Sequence, residues 1–188
     1  WYKFSISNPG SISLMFSHSY IESDWTYWKA DLYDSNQSYL VTYSYQGNTT
    51  SKTSGKIGLP AGTYYLKIYP YDFSDKNYNI KINYSSSNVW EKEFNDSYST
   101  ADVIGVNNYY YGSMRHGDDV DWYKFSISKS GPVSLTFSHD YIESDWTYWK
   151  VDLYNSAQSY LVTYSFQGNN TSKTTGKIGL PAGTYYIK

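Results

Sequence analysis

The sequence predicts an all-β protein built from tandem antiparallel β-sandwich modules. Three observations support this prediction: a composition rich in aromatic and hydroxylated residues, a long internal repeat, and short segments in which apolar and polar residues alternate. The 188-residue chain contains 25 Tyr and 7 Trp. Such side chains favour the pleated surface of a sheet, whereas the residues that favour helices are scarce.

A long internal repeat organises the chain. Residues 1–67 align without a gap with residues 122–188, at an offset of 121, and 13 of the 67 aligned positions differ. A period of this length suits one β-sandwich of about 100 residues plus a linker. We therefore expect a first module over residues 1–84, a Ser-rich linker over 85–89 and a second module over 90–188.

Neither module contains every segment that the other has. The first has no counterpart of residues 90–121, and the second has no counterpart of residues 68–84. The sequence therefore indicates an excerpt from a longer array with an unknown number of repeats. Two explanations stay open: the missing segments belong to a longer polypeptide, or neighbouring chains supply the missing strands, as in donor-strand exchange.

Alternating apolar and polar residues predict the strands and their faces. Turn signals rich in Gly, Pro and Asn separate these segments. A one-residue error in the predicted register would exchange the buried and exposed faces. The strands are predicted over residues 1–7, 11–17, 25–33, 63–69 and 77–84. Their buried face is expected to hold Tyr2, Phe4, Leu14, Phe16, Trp28, Leu32, Leu66 and Ile68, with Tyr123, Phe125, Leu135, Phe137, Trp149 and Leu153 in the second module.

Aromatic residues on the opposite face form a candidate ligand-binding surface. Exposed rings in a row stack on sugar rings or pack against a collagen triple helix. The alternative is that these rings pack against cross-strand partners, other modules or other chains. The candidate ligand-binding residues are Trp25, Tyr27, Tyr33, Tyr65, Tyr69, Trp146, Tyr148 and Tyr154.

Two acidic stretches beyond the predicted linker indicate a metal site. Residues 90–96 carry oxygen-bearing side chains at alternating positions, which an extended chain projects to one side. Residues 112–121 add a hydroxyl group and three carboxylates. These carboxylates would repel one another without a cation, and a set of oxygen ligands favours calcium over magnesium, which requires a stricter octahedron. A solvated acidic loop is the alternative.

The same stretches resemble the bacterial pre-peptidase C-terminal domain family, which includes the collagen-binding domains of clostridial collagenases. The similar motifs are Glu91-x-Glu93-x-Asn95-Asp96-Ser97, Gly112-Ser113, Asp118-x-x-Asp121 and Gly62-Thr-Tyr-Tyr65, and Phe94 stands where the family usually has Pro. The resemblance implies a jelly-roll-like sandwich in a secreted or cell-surface protein. The calcium ligands that it implies are Glu91, Glu93, Asn95, Asp96, Ser113, Asp118 and Asp121.

Other chemistry is excluded or poorly supported by the sequence. The absence of cysteine excludes disulfides, thiolate zinc sites and a cysteine nucleophile, and the net charge of −2 shows no basic stripe for nucleic acid. No apolar run is long enough for a membrane helix. Ser138, His139 and Asp140 are sequence neighbours at the end of a predicted strand, and such neighbours do not generally meet in triad geometry; the first repeat also has Ser19 in place of Asp140. We expect no enzymatic activity within these residues, although a catalytic domain could lie elsewhere in a longer protein.

The predicted function follows from these features. We expect a non-catalytic calcium-binding repeat of a secreted or cell-surface bacterial protein, which acts as an adhesion, ligand-binding or spacer module for collagen or a polysaccharide. The alternative is a structural repeat that assembles with neighbouring copies into an extracellular fibre. A large apolar contact between copies would favour the fibre, whereas an exposed aromatic groove would favour ligand binding.

Overall fold

A computed structural model describes residues 1–188. The chain forms 17 β-strands and one 3₁₀ helix of three residues, which confirms the predicted all-β class. No helix is long and apolar enough to cross a membrane. The strands of the N-terminal half are β1 Tyr2–Ile6, β2 Gly10–His18, β3 Thr26–Tyr33, β4 Tyr39–Gln46, β5 Ser51–Thr53, β6 Ile57–Leu59, β7 Gly62–Pro70 and β8 Tyr78–Ser86. The helix Tyr98–Thr100 follows, and then β9 Asp102–Val103, β10 Tyr123–Ile127, β11 Gly131–Val133, β12 Thr136–Ser138, β13 Thr147–Asn155, β14 Tyr160–Gln167, β15 Ser172–Thr174, β16 Ile178–Leu180 and β17 Gly183–Ile187.

The chain divides into two compact units. The first unit comprises Trp1–Phe94 and Tyr109–Asp119, and the second comprises Asn95–Asn108 and Val120–Lys188. This division differs from the boundary expected at residues 85–89. Two short segments that follow the linker in the sequence, residues 90–94 and Tyr109–Asp119, belong to the first unit. The contacts that hold residues 90–94 against β6 are the physical reason, and they are described with the candidate site.

The first unit is a sandwich of two four-stranded antiparallel sheets. One sheet has the order β1-β7-β3-β4, and in the other β2 pairs with β8 on one side and with β5 and β6 on the other. Side chains of the two sheets meet in a shared core. The ring of Phe16 in β2 lies 4.3 Å from that of Tyr45 in β4 and 5.7 Å from that of Trp28 in β3. The core therefore lies between the sheets, as expected for a sandwich.

The predicted register of the first unit is confirmed. Trp28 is buried, whereas its neighbour Tyr27 is only half-buried. Leu14, Phe16, Leu32 and Leu66 are buried as predicted, and Phe4 and Ile68 are half-buried. The prediction for Tyr2 was wrong. This residue is the first of edge strand β1, its hydroxyl group lies 3.0 Å from the Tyr78 hydroxyl, and it is 43% exposed.

The second unit repeats this strand pattern with fewer pairings. Its main sheet has the order β14-β13-β17-β10-β9, with β9 parallel to β10, and two further pairs are β11-β16 and β12-β15. Phe125 and Leu153 are buried as predicted. Tyr123, Leu135, Phe137 and Trp149 are half-buried. The strand β2 of the first unit pairs with the nine-residue strand β8, and β11 and β12 have no partner equivalent to β8, so the side chains beneath them are less covered.

Candidate metal centre and aromatic surface

The acidic segment Trp90–Phe94 lies on the first unit, beside β6. The Glu93 backbone N–H donates to the carbonyl oxygen of Gly58 at 3.3 Å. A β-carbon on residue 58 would overlap the carbonyl oxygen of Glu91 and lie 3.0 Å from its carbonyl carbon. The side chain of Phe94 packs against the hydrophobic core. These contacts fix the segment as part of the first sandwich, and the glycine in β6 allows its backbone to approach.

The second acidic stretch crosses the first one. The Glu91 N–H donates to the Tyr111 carbonyl oxygen at 2.9 Å, and the Tyr111 N–H donates to the Val89 carbonyl oxygen at 2.8 Å. The rings of Trp90 and Tyr111 stack with their centroids 5.7 Å apart. Residues 109–119 thus lie over residues 89–93, and the two stretches that the sequence singled out are adjacent.

Two of the predicted ligands are in direct contact. The carboxylate of Glu91 is 1% exposed and accepts hydrogen bonds from the backbone N–H of Ser113 at 2.5 Å and from its hydroxyl group at 3.1 Å. Hydrogen bonds from neutral donors to a carboxylate are short and strong, and they partly compensate for burial of the charge. Glu91 and Ser113 are therefore held in one place before any ion binds.

Arg115 is the only arginine of the chain, and it joins two buried carboxylates. Its Nε atom lies 3.1 Å from Oε2 of Glu93, and its Nη2 atom lies 2.5 Å from Oδ1 of Asp119. Its backbone N–H also donates to Asp119 at 2.6 Å, and its guanidinium group lies over the ring of Phe94. The side chains of Arg115, Glu93 and Asp119 are all buried. The ion pairs therefore form in a region of low dielectric constant.

Three acidic side chains and one arginine meet in this cluster. Glu91, Glu93 and Asp119 carry carboxylates, and Arg115 forms ion pairs with Glu93 and Asp119. A buried carboxylate is stable only where it is paired, hydrogen-bonded or bound to a metal. The ligand oxygens of Glu93 and Asp119 lie within 4.8 Å of each other. These acidic residues could hold a metal ion.

The remaining predicted ligands differ in their surroundings. Asn95 is 0% exposed, and neither its amide oxygen nor its amide nitrogen makes a hydrogen bond. A buried amide without partners is rare in folded proteins. Asp121 is also buried, whereas Asp96 and Asp118 are exposed. The carboxylate, hydroxyl and amide oxygens available here are the donor types that calcium takes, so these residues fit such an ion.

Sequence reasoning did not assign a role to Arg115, and it counted Asp119 among the carboxylates of the second stretch without including it in the implied ligand set. It placed the ligand pattern on Asp118 and Asp121, whereas the structure puts Asp119 beside Arg115 and Glu93. One signal was present in the sequence: the only arginine of the chain stands within the acidic stretch, four residues before Asp119. In an acidic loop, such a residue is a natural partner for buried carboxylates.

The candidate aromatic residues fall into two groups. Trp25 is 71% exposed, Trp146, its equivalent in the second repeat, is 78% exposed, and Tyr148 is also exposed. The other five are half-buried: Tyr27, Tyr33, Tyr65, Tyr69 and Tyr154. The exposed group is available to a ligand without any rearrangement.

The half-buried tyrosines pack within their own sheets. The hydroxyl groups of Tyr33 and Tyr69 both donate to Asp31 at 3.4 Å, and the Lys67 ammonium group lies 4.7 Å from the ring of Tyr69. Burial and the neighbouring Asp31 carboxylate raise the pKa of both phenols. These contacts match the cross-strand packing that the sequence left open as an alternative. In the second unit, Tyr154 donates to Asp152 at 3.5 Å and its ring packs near Trp122.

Two further exposed aromatic residues of the first unit were not among the predicted ligand-binding residues. Tyr71 and Phe73 belong to the turn between β7 and β8 and are 65% and 81% exposed. The Tyr71 N–H donates to the carbonyl oxygen of Tyr27, two residues beyond Trp25, at 2.8 Å. The ammonium group of Lys29 lies 4.1 Å from the ring of Tyr71. The first unit thus exposes Tyr71 and Phe73 in addition to Trp25.

Comparison with known proteins shows a similarity to a collagenase. No family model matches the chain. The chain is 23% identical over 191 aligned residues to "Collagenase ColT" of Clostridium tetani (strain Massachusetts / E88). The alignment covers 98% of this chain and 19% of the collagenase, so the chain spans about a fifth of the length of that relative. At this identity, the similarity supports at most a collagenase-related domain.

Proposed function

We propose that this chain is a pair of non-catalytic binding modules of a secreted or cell-surface protein related to collagenases. The observation that carries the proposal is the extent of the similarity, which covers nearly the whole chain but only 19% of a collagenase. A β-sandwich unit that forms a small part of a large extracellular enzyme is well suited to hold the protein on its substrate. The similarity to a collagenase favours collagen as the ligand of this chain, and polysaccharide is the second candidate polymer.

The exposed aromatic residues are the proposed contact points. Trp25, Tyr71 and Phe73 are exposed on the first unit, and Trp146 and Tyr148 are exposed on the second. Contiguous exposed apolar patches are typical of binding surfaces. Tryptophan and tyrosine also dominate the energetics of binding surfaces, since they bury much area with little loss of conformational entropy.

Binding assays on immobilised collagen and on polysaccharide arrays test this proposal. The full chain is compared with a double variant, Trp25→Ala with Trp146→Ala, and with Tyr109→Ala, which removes an aromatic residue that is 73% exposed in a different segment. The double variant should bind at least about tenfold more weakly, which corresponds to ~1.4 kcal/mol, and the control should bind normally. Equal loss in both variants, or no binding of the unmodified chain to either polymer, would contradict the proposal.

We further propose that the acidic cluster binds calcium. The buried carboxylates of Glu93 and Asp119, whose ligand oxygens lie within 4.8 Å of each other, support a divalent cation with oxygen ligands. Extracellular modules bind calcium with dissociation constants of about 10⁻⁴–10⁻³ M. Calorimetric titration of the full chain should show binding in this range, with a higher melting temperature in calcium than in chelator. Absence of heat and of thermal stabilisation at ~10 mM calcium, well above this range, would exclude the site.

A further inference from the structure

Arg115 already supplies a cation to two carboxylates of the proposed calcium site. Both carboxylate oxygens of Asp119 accept hydrogen bonds from it: Oδ1 from Nε at 3.0 Å and from Nη2 at 2.5 Å, and Oδ2 from the backbone N–H at 2.6 Å. Nε of Arg115 also lies 3.1 Å from Oε2 of Glu93. The guanidinium group therefore bridges the two acidic residues whose ligand oxygens lie within 4.8 Å of each other.

A calcium ion bound to both acidic residues would take the same carboxylates. Calcium binds oxygen ligands at about 2.3–2.6 Å, so an ion on these oxygens would lie within about 6 Å of the Arg115 nitrogens that contact them. The side chains of Arg115, Glu93 and Asp119 are all buried, so little water screens the two positive charges from each other. The ion and the guanidinium group therefore repel each other, and each weakens the binding of the other to the carboxylates.

The position of Arg115 in the chain gives its side chain a route out of the cluster. It directly precedes the turn at residues 116–119, which the Asp119 N–H closes by donating to the His116 carbonyl oxygen at 3.2 Å. Met114 and His116, the residues on either side of Arg115, are both exposed. Water is therefore close to this part of the backbone, and rotation of the side chain can bring the guanidinium group into solvent without opening the hydrophobic core.

We propose that Arg115 is an internal competitor of calcium. It neutralises Glu93 and Asp119 in the calcium-free protein and is displaced into solvent when the ion binds. The proposal rests on the proposed calcium site. Arg115 then sets the calcium affinity, because the ion must replace its ion pairs, and breaking a buried ion pair is costly. The calcium-bound protein also presents a guanidinium group to solvent that the calcium-free protein keeps buried.

The only arginine of the chain gives a direct readout of this exchange. In the full chain prepared with isotope-labelled arginine, the Nε–H group should give a single NMR signal. It should exchange slowly with water in chelator, because it donates to a buried carboxylate. Calcium should shift this signal and speed its exchange at least about tenfold, since a solvated donor exchanges without prior opening of the structure. A signal that stays protected while calorimetry shows calcium binding would overturn the proposal.

Calorimetric titration of variants measures the competition itself. Arg115→Gln should bind calcium at least about tenfold more tightly than the unmodified chain, which corresponds to ~1.4 kcal/mol, because no ion pair has to be broken. Arg115→Lys keeps the charge but loses the planar fork, so its affinity should fall between those two. The matched control is Lys56→Gln, which removes an exposed positive charge from the same unit. Its calcium affinity should change less than about twofold, since exposed charges are screened.

The outcomes separate this proposal from the calcium site on which it rests. Calcium binding of equal affinity by Arg115→Gln and the unmodified chain would overturn the competition and leave the site in place. Equal tightening by Arg115→Gln and Lys56→Gln would assign the effect to overall charge and would also overturn it. Absence of calcium binding by every chain would reject the site and the competition together. The NMR readout needs no substitution, so it decides the question even where Arg115→Gln fails to fold in chelator.

Discussion

The carbonyl group of Glu91 lies against the α-carbon of Gly58, so closely that no β-carbon fits between them. Gly58 is the middle residue of β6, and Glu91 stands 33 residues later, beyond the Ser-rich linker. This contact holds the acidic segment on the first sandwich. It also explains why a repeat boundary read from the sequence and a unit boundary read from the structure differ at this place.

The first prediction concerns the two equivalent glycines. Gly58→Ala should lower the free energy of unfolding by about 1–3 kcal/mol, because the methyl group displaces the backbone of Glu91. Gly179→Ala should change it by less than about 1 kcal/mol, with stabilisation as the expected sign, since alanine restricts the unfolded chain. Denaturant unfolding of the two variants measures this difference. Similar losses in both would show that β6 and β16 require glycine for a reason other than the acidic segment.

The strands and faces of the modules could be predicted from the sequence, because alternation has a period of two and a buried face must stay apolar. Trp28 and Tyr27 were assigned to the correct sides on that ground alone. The burial of Tyr2 was mispredicted, because alternation does not reveal that a residue lies near the end of an edge strand. The position of Trp90–Phe94 on β6 depends on contacts between residues more than 30 positions apart, which a local pattern does not contain.

The candidate site was predicted in part for similar reasons. Alternating carboxylates correctly indicated that residues 91 and 93 lie near the loop at residue 113. Alternation could not distinguish Asp118 from Asp119, because neighbouring residues in a loop do not follow a strand period. The ion pairs of Arg115 could not be predicted from the alternation either, because the sequence does not distinguish a solvated arginine from a buried one.

The second prediction separates these two aspartates. Asp119→Asn should reduce calcium affinity at least about tenfold, because Asp119 lies in the same cluster as Glu93. Asp118→Asn should have a much smaller effect, since this side chain is exposed. Calorimetric titration of both variants provides the comparison. The reverse order would favour the ligand assignment implied by the family resemblance over the arrangement of this cluster.

The third prediction concerns Arg115. Arg115→Gln should lower the free energy of unfolding in chelator by about 3 kcal/mol, because the buried carboxylates of Glu93 and Asp119 lose their shared counter-charge. The loss should be smaller in calcium, since the ion neutralises the same carboxylates. Lys76→Gln is the control, because its ion pair with Asp75 is exposed and such pairs contribute about 0–1 kcal/mol. An equal loss for Arg115→Gln in calcium and chelator would indicate that the ion does not neutralise these carboxylates.

The fourth prediction concerns the phenol of Tyr64 at high pH. Tyr64 is 4% exposed, and its hydroxyl group donates to the carbonyl oxygen of Pro60 at 2.7 Å. Burial, together with the nearby Asp34 carboxylate, raises the pKa of this phenol to about 12, from 10.0 in the absence of these effects. Above pH 10 the unfolded chain therefore loses the phenolic proton while the folded chain keeps it. Stability is at its full value below pH 10 and falls as the pH rises towards 12, by about 2–3 kcal/mol for a difference of two pKa units.

Tyr64→Phe isolates this effect from the titration of other groups. At pH 9 the variant should be less stable than the unmodified chain by about 1 kcal/mol, because the hydrogen bond to Pro60 is lost. At pH 11.5 the difference in the free energy of unfolding between the two chains should fall to zero or change sign. Phenylalanine has no proton to lose, whereas the unmodified chain has already lost most of the stability that its protonated phenol contributes. Denaturant unfolding at both pH values measures the two differences. A difference that stays constant between pH 9 and pH 11.5 would mean that the phenol titrates alike in the folded and unfolded chains, and would contradict a raised pKa.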